Sequence, residues 1–152
     1  MLNKDLNYRI IIPGTEDELQ SYYNLRYEVL RKPWGQPENS VRDEWEDQSL
    51  HVLMIDGSGK AIATGRLQYN SDIEGQIRSM AVAETFRGFG LGTRILKFLE
   101  QKAKEKNFSK IVLDARENAV KFYEKNGYII DGSSYTLFEV IPHFRMIKTF
   151  DI

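Results

Sequence analysis

Seven residues, Arg87-Gly88-Phe89-Gly90-Leu91-Gly92-Thr93, restrict what this chain can become more than any other stretch. They stand between a strand-like run, Gln76 to Val82, and the clearest helical pattern in the sequence. In that pattern Leu91, Ile95, Phe98, Leu99 and Ala103 recur at 0, +4, +7, +8 and +12, one apolar face of a helix. Glycines on alternate positions let the backbone turn tightly and expose successive N–H groups without Cβ obstruction. The unpaired N–H groups and positive dipole end of the following helix converge on the same spot, a ready anion site. Arg87 adds a fixed charge suited to phosphate. The same turn can also serve as a bare tight connection. A P-loop is excluded, because no Gly-Lys-Ser/Thr follows. A dinucleotide fingerprint fits poorly: the spacing is Gly-x-Gly-x-Gly-Thr, and Ala83 to Phe86 separate it from the strand. Asp114, 24 residues beyond Gly90, nevertheless imitates the ribose-binding acid and keeps a Rossmann-type oxidoreductase as a distant competitor.

The rest of the chain decides the fold class. Tyr8 to Ile12 reads as a strand stopped by Pro13-Gly14. Thr15 and Glu18 have capping-box spacing ahead of a helix that runs to Leu30 and ends at Pro33, Gly35 and Pro37. The acidic segment Asp43 to Asp47 follows as a loop or short helix. His51 to Ile55, Ala61 to Tyr69 and Gln76 to Val82 are strands joined by short turns, an antiparallel meander. After the helix at Leu91, Lys110 to Leu113 is a strand. Asn118 caps a short helix through Tyr123, and Asn126-Gly127 supplies its left-handed end. Tyr128 to Ile130 and His143 to Phe150 are late strands, separated by a loop around Gly132-Ser133-Ser134 and Pro142. This order is α+β with a mixed sheet, neither a barrel nor a doubly wound sheet. No linker or repeat interrupts it, so residues 1–152 are expected to form a single domain.

Composition mainly excludes. There is no cysteine, which removes disulfides, thiolate zinc sites and a cysteine nucleophile. With only His51 and His143, an imidazole-rich metal site is not expected. The charge is nearly balanced, 21 Lys+Arg against 22 Asp+Glu, so neither nucleic acid nor an anionic membrane surface is an expected partner. The longest run without a charged residue, Gln48 to Ile55, is far short of the roughly 20 residues that span a bilayer. The start, Met1 to Asp5, lacks a signal-peptide apolar region. A cytoplasmic location is the expectation.

At the glycine turn the chain resembles the GNAT superfamily of acetyl-CoA-dependent N-acetyltransferases. The resemblance spans nearly the whole length. It rests on Ile77-Arg78-Ser79-Met80-Ala81-Val82, on Arg87, Gly90 and Gly92 as the Arg/Gln-x-x-Gly-x-Gly/Ala signature, and on Asn118 to Tyr128 about 30 residues downstream. It implies a mixed, mostly antiparallel sheet with helices on both faces, splayed between the fourth and fifth strands. It implies acetyl-CoA as cosubstrate, without a metal. The coenzyme's pyrophosphate would be held by backbone N–H groups from Gly88 through Phe89, Gly90, Leu91 and Gly92 to Thr93, beside Arg87. The pantetheine arm would pair with the strand edge at Met80, Ala81 and Val82, a form of strand addition, with Asn118 beside it. Tyr123 would lie near the sulfur and protonate the departing thiolate. Without the family, Tyr123 reads as a core aromatic, because Ala119, Phe122 and Tyr123 share one helical face.

Proton chemistry narrows the mechanism. An alkyl ammonium, pKa near 10, must lose a proton before attacking a thioester, and a thiolate leaving group is helped by a nearby phenol. Lacking cysteine, the chain cannot form an acyl-cysteine, and direct attack within a ternary complex is the simplest path, with an acyl-serine left open. In some relatives a glutamate on the fourth strand is the base. Here that position is Gln76, which takes no proton. Glu74, His143 and then His51 are the remaining candidates, alongside water. The resemblance also puts the acceptor at Arg31 to Pro37, with Trp34, and at Asp43 to Asp47, acids that either attract a cationic amine or form a solvated face. The expected activity is acetyl transfer to a primary amine of a small molecule or peptide. The alternative is a catalytically silent acyl-CoA-binding module or sensor. The final strand, Phe144 to Phe150, is a candidate dimer edge.

Overall fold

The computed structural model describes residues 7–150, so the polar start Met1 to Asp5 lies outside the described residues. Three helices and seven strands alternate as the sequence orders them: β1 (Arg9–Ile11), α1 (Glu16–Leu30), β2 (Ser49–Ile55), β3 (Ala61–Tyr69), β4 (Glu74–Val82), α2 (Leu91–Glu105), β5 (Lys110–Arg116), α3 (Val120–Lys125), β6 (Ile129–Leu137) and β7 (Ile141–Thr149). The strands form one sheet in the order β1-β2-β3-β4-β5-β7-β6. Every pair is antiparallel except β4–β5.

Strand alternation assigns the helices to opposite faces. Val52 and Met54 of β2 enter the main core with Ile95, Leu96 and Leu99 of α2 and with Tyr123. Leu53 and Ile55, their alternate neighbours, pack against Tyr22 of α1. The start of α1 is fixed by the expected capping box: Thr15 Oγ1 accepts from Glu18 N at 3.1 Å, and Glu18 Oε1 from Thr15 N at 3.1 Å.

The sheet opens in the middle, and its hydrogen bonding shows where. β4 and β5 pair only from Glu74–Lys110 to Ile77–Leu113. On the other side of β4, Arg66 pairs with Arg78 and Thr64 with Ala81, so Ser79 and Met80 together face Gly65. This is a β-bulge, and Ser79 takes a left-handed φ of 57° to make it. The bulge lies just past Ile77, the last residue at which β4 pairs with β5. Gly65 has no room for a side chain, since a Cβ there would lie 2.6 Å from Ile95 Cγ2.

Three expectations need correction. Gly132-Ser133-Ser134 is not a loop: β6 continues through it to Leu137, and β7 begins at Ile141, with Pro142 inside the strand. The turn-forming residues instead make irregular pairing, with register breaks on both sides of Ser133 and φ 105° at Gly132. Asn118 does not cap α3; it sits in a 3-10 turn, Glu117–Ala119, and no side chain caps the helix. The final strand is no sheet edge, because β7 runs between β5 and β6.

Candidate functional site

The opening between β4 and β5 forms a cleft of about 630 Å³, within the usual range for small-molecule sites. Arg87 and Gly92 line it, together with Met80, Ala81 and Val82 of β4, Asn118, and Tyr123 of α3. From the other strands come Asp114 and Arg116 of β5, Tyr135 of β6 and His143 of β7. Arg31, Ser40, Val41 and Asp43 close it from the segment after α1.

The glycine turn is built for backbone exposure. Gly88 and Gly90 have φ of 85° and 77°, which glycine alone adopts without strain, and a Cβ at either would meet nothing. The first backbone bond into α2 is Arg94 N to Gly90 O, and no side chain caps the helix. The N–H groups of Leu91, Gly92 and Thr93 therefore have no partner within the helix. Leu91 turns its side chain into the core, whereas Phe89 is 45% exposed. Past Ile77, β5 no longer pairs with β4, leaving the edge at Met80 to Val82 open toward the cleft.

Tyr123 belongs at once to the core and to the lining of the cleft. It packs in the core, edge-on to Phe122 and Tyr128 with centroids 5.0 and 5.7 Å apart, and it also reaches the cleft. Burial raises its pKa, so the phenol stays protonated.

His143 lines the cleft with its ring fixed in one tautomer. Its Nδ1 lies 3.0 Å from the Ile141 carbonyl oxygen. A carbonyl only accepts, so Nδ1 carries the hydrogen and Nε2 the lone pair. Tyr135 stacks on the ring at 4.5 Å between centroids and 14° between planes. Burial, with the charges of Arg116 and Arg31, lowers the imidazole's pKa below its ordinary value, against the pull of the backbone bond and Asp114. This shift favours the neutral ring.

Other candidates lie elsewhere. Glu74 is not among the residues lining the cleft; its carboxylate accepts from Asn70 Nδ2 at 2.9 Å and pairs with Lys110 at 3.6 Å. Gln76 does reach the cleft, where its amide donates to Asp114. His51 is structural: Nε2 donates to Glu46 O, Nδ1 accepts from the Tyr22 hydroxyl, and it lines no part of the cleft. Trp34 also stays outside, 41% exposed. The acidic segment is neither wholly a wall of the cleft nor wholly a solvated face: Asp43 lines the cleft, whereas Glu46 is buried. Glu46 bridges the buried Arg26 and Arg66, with Arg26 Nη1 2.7 Å away, and Asp43 pairs with Arg66 at 2.9 Å. Among the described residues, no group of three or more His, Asp or Glu could hold a metal ion. None of their helices is long and apolar enough to cross a membrane.

Sequence reasoning placed Arg31 at the acceptor but missed that it joins Arg78 and Arg116 as one cationic group in the cleft. Arg31 Nη1 and Arg116 Nη2 both donate to the Leu30 carbonyl oxygen, at 3.1 and 3.2 Å. Arg78 lines the same space. The three come from α1's end, β4 and β5, and no local pattern marks them.

The family model described as the acetyltransferase (GNAT) family matches residues 19–128. The chain belongs to the GNAT family of acetyltransferases. It is 32% identical over 140 residues to the uncharacterized N-acetyltransferase YjcF of Bacillus subtilis (strain 168), covering 92% of this chain and 99% of that one. Streptothricin acetyltransferase A from the same organism is 27% identical over 153 residues, 92% of this chain and 83% of that protein. Among solved structures, a GNAT acetyltransferase from Elizabethkingia anophelis with acetyl-CoA bound superposes with a TM-score of 0.77 at 20% identity, covering 95% and 99% of the two chains. The mixed, mostly antiparallel fold is thus shared with that solved structure.

Proposed function

We propose that this acetyltransferase moves the acetyl group of acetyl-CoA to a primary amine by direct attack within a ternary complex. One observation carries the reading. Arg87 and Gly92 of the anion-ready turn, the open edge of β4, Tyr123 and His143 all line one cleft. The pyrophosphate would lie on the N–H groups at the start of α2, and the pantetheine amides along Met80 to Val82 beside Asn118. The similarity to an acetyl-CoA-bound GNAT structure supports this placement.

In this arrangement the amine nitrogen attacks the thioester carbonyl carbon. The N–C bond forms, the C–S bond breaks, and His143 Nε2 takes the amine's proton. The Tyr123 hydroxyl gives a proton to the departing sulfur and regains one from solvent, while His143 releases its own to solvent. General acid and base steps of this kind contribute about 10²–10⁴-fold each. The test is release of free CoA thiol across a panel of amines. Tyr123→Phe is expected to lower kcat by about a hundredfold or more while acetyl-CoA still binds. Tight acetyl-CoA binding without thiol release on any amine would leave a silent acyl-CoA-binding module instead.

A further inference from the structure

The acceptor end of the cleft is richer in positive charge than the near-neutral chain requires. Arg31, Arg78 and Arg116 are all half-buried there. Arg31 donates only to the carbonyl oxygens of Ser40 and Leu30, and Arg116 to that of Leu30. Among the described residues, none of the three has a carboxylate within 4.0 Å, although nine ion pairs form elsewhere. The nearby acids are committed. Asp43 and Glu46 neutralise Arg66 and Arg26. Asp114, the one other carboxylate lining this space, accepts from Ser134 Oγ at 2.7 Å and Gln76 Nε2 at 3.3 Å. Three guanidiniums thus share this space with Asp114 and with an Asp43 already paired to Arg66. Two of them crowd a single carbonyl oxygen, and burial and mutual repulsion depress the pKa of Arg31. Half-buried guanidiniums without a counter-ion are a costly arrangement unless a ligand supplies the charge.

We propose that Arg31, Arg78 and Arg116 form an oxyanion pocket that selects an acceptor amine also bearing a carboxylate or phosphate. This rests on the acetyl-transfer reading and names its acceptor class. Guanidinium forks match the geometry of both oxyanions. Arg116 is directly opposite His143 across β5 and β7, so their side chains share a face with Cβ atoms about 5 Å apart. An acceptor anchored by its anion at Arg116 presents its amine to Nε2 across a short spacer. The cations help a second time: positive charge disfavours an ammonium, so the amine in this pocket sheds its proton more readily.

The experiment compares β-alanine, 2-aminoethyl phosphate, β-alaninamide and 1,3-diaminopropane as acceptors, with calorimetry of each on the enzyme–CoA complex. The two anionic amines are expected to exceed β-alaninamide at least tenfold in kcat/KM, with the diamine lowest. Arg31→Gln should raise the KM of the anionic amines and leave that of acetyl-CoA unchanged. Arg31→Glu should shift preference toward the diamine, which loss of packing alone would not do. Equal use or equal binding of charged and neutral amines would overturn the proposal, as would a change confined to the acetyl-CoA KM, which would make the cluster a coenzyme-phosphate site. Selective binding of the anionic amines without turnover would uphold the pocket and sink the acetyl-transfer reading.

Discussion

At the scale of single residues, the orientation of His143 matters more than its presence. The Ile141 carbonyl fixes Nδ1 as donor and leaves Nε2 to accept, while Tyr135 fixes the plane of the ring. Because burial and neighbouring guanidiniums lower its pKa, the base form persists below the ordinary imidazole value of 6.5. The pH profile of kcat/KM is therefore expected to show an acid-side inflection below pH 6.5, from the free enzyme's base. His143→Gln should lose that inflection and about 10²–10⁴ in kcat, with the affinity for acetyl-CoA kept. An inflection that survives the substitution would belong to another titrating group and would remove His143 as the base. His143 and Tyr123 were both legible as candidates, Tyr123 through the family resemblance and His143 as one of only two histidines. Their tautomer, ring stacking and shared cleft were not, because these depend on Ile141, Tyr135 and β5, none adjacent to the side chain concerned.

Among the elements, two backbone conformations shape the cleft, and they differ in how plainly the sequence announces them. The turn before α2 is marked by alternate glycines, and Gly88 and Gly90 do adopt left-handed φ. The bulge at Ser79 is unmarked. Nothing in Ile77-Arg78-Ser79-Met80 resembles a turn, and the left-handed serine is imposed by what surrounds it: Gly65 pressed onto α2, and Thr64 Oγ1 donating to Ser79 O at 2.9 Å. The same tertiary override carries β6 through Gly132-Ser133-Ser134, whose composition favours a loop. A paired substitution tests the turn. Gly90→Ala is expected to cost about 1 kcal/mol from its positive φ and to weaken acetyl-CoA binding several-fold. Gly14→Ala, also at a site with nothing within 4 Å but without positive φ, should be near neutral. Thermal midpoints and acetyl-CoA titration read both. Equal effects at the two positions would remove backbone geometry as the reason for glycine in the turn.

Over the whole molecule, the segment between α1 and β2 is tied down by charge rather than by apolar burial, and this makes the fold acid-sensitive. Arg26 is 2% and Arg66 0% exposed, an arrangement that sequence reasoning does not anticipate, since arginines are seldom fully buried. Glu46 joins them, Tyr23 donates to it at 3.0 Å, and His51 donates to its backbone oxygen. Burial alone would raise the pKa of Glu46, but the bonds and charges of Arg26 and then Arg66 overcome it and hold the carboxyl below its usual range. Asp43 is depressed likewise, its burial outweighed chiefly by Arg66. Burial lowers both His51 and His143. All four groups bind protons more readily unfolded than folded, so stability rises with pH wherever they titrate. The two imidazoles contribute fully above about pH 6.5 and the two carboxylates above about 4.5, and each contribution is lost as pH falls through the depressed folded value. Urea midpoints are expected to drop steadily from pH 7 to pH 4 with little change in slope. Glu46→Gln leaves two buried guanidiniums without their shared partner, at a cost of about 3–5 kcal/mol, and flattens the acid-side dependence below pH 5. A midpoint independent of pH, or a Glu46→Gln protein as stable as the parent, would show that packing alone holds this segment. Because Val41 O also accepts from Arg26, loosening the network would release Val41 and Asp43 from the wall of the cleft. Acceptor KM should then rise in Glu46→Gln before the protein unfolds, coupling the stability of the charge network to the shape of the acceptor site.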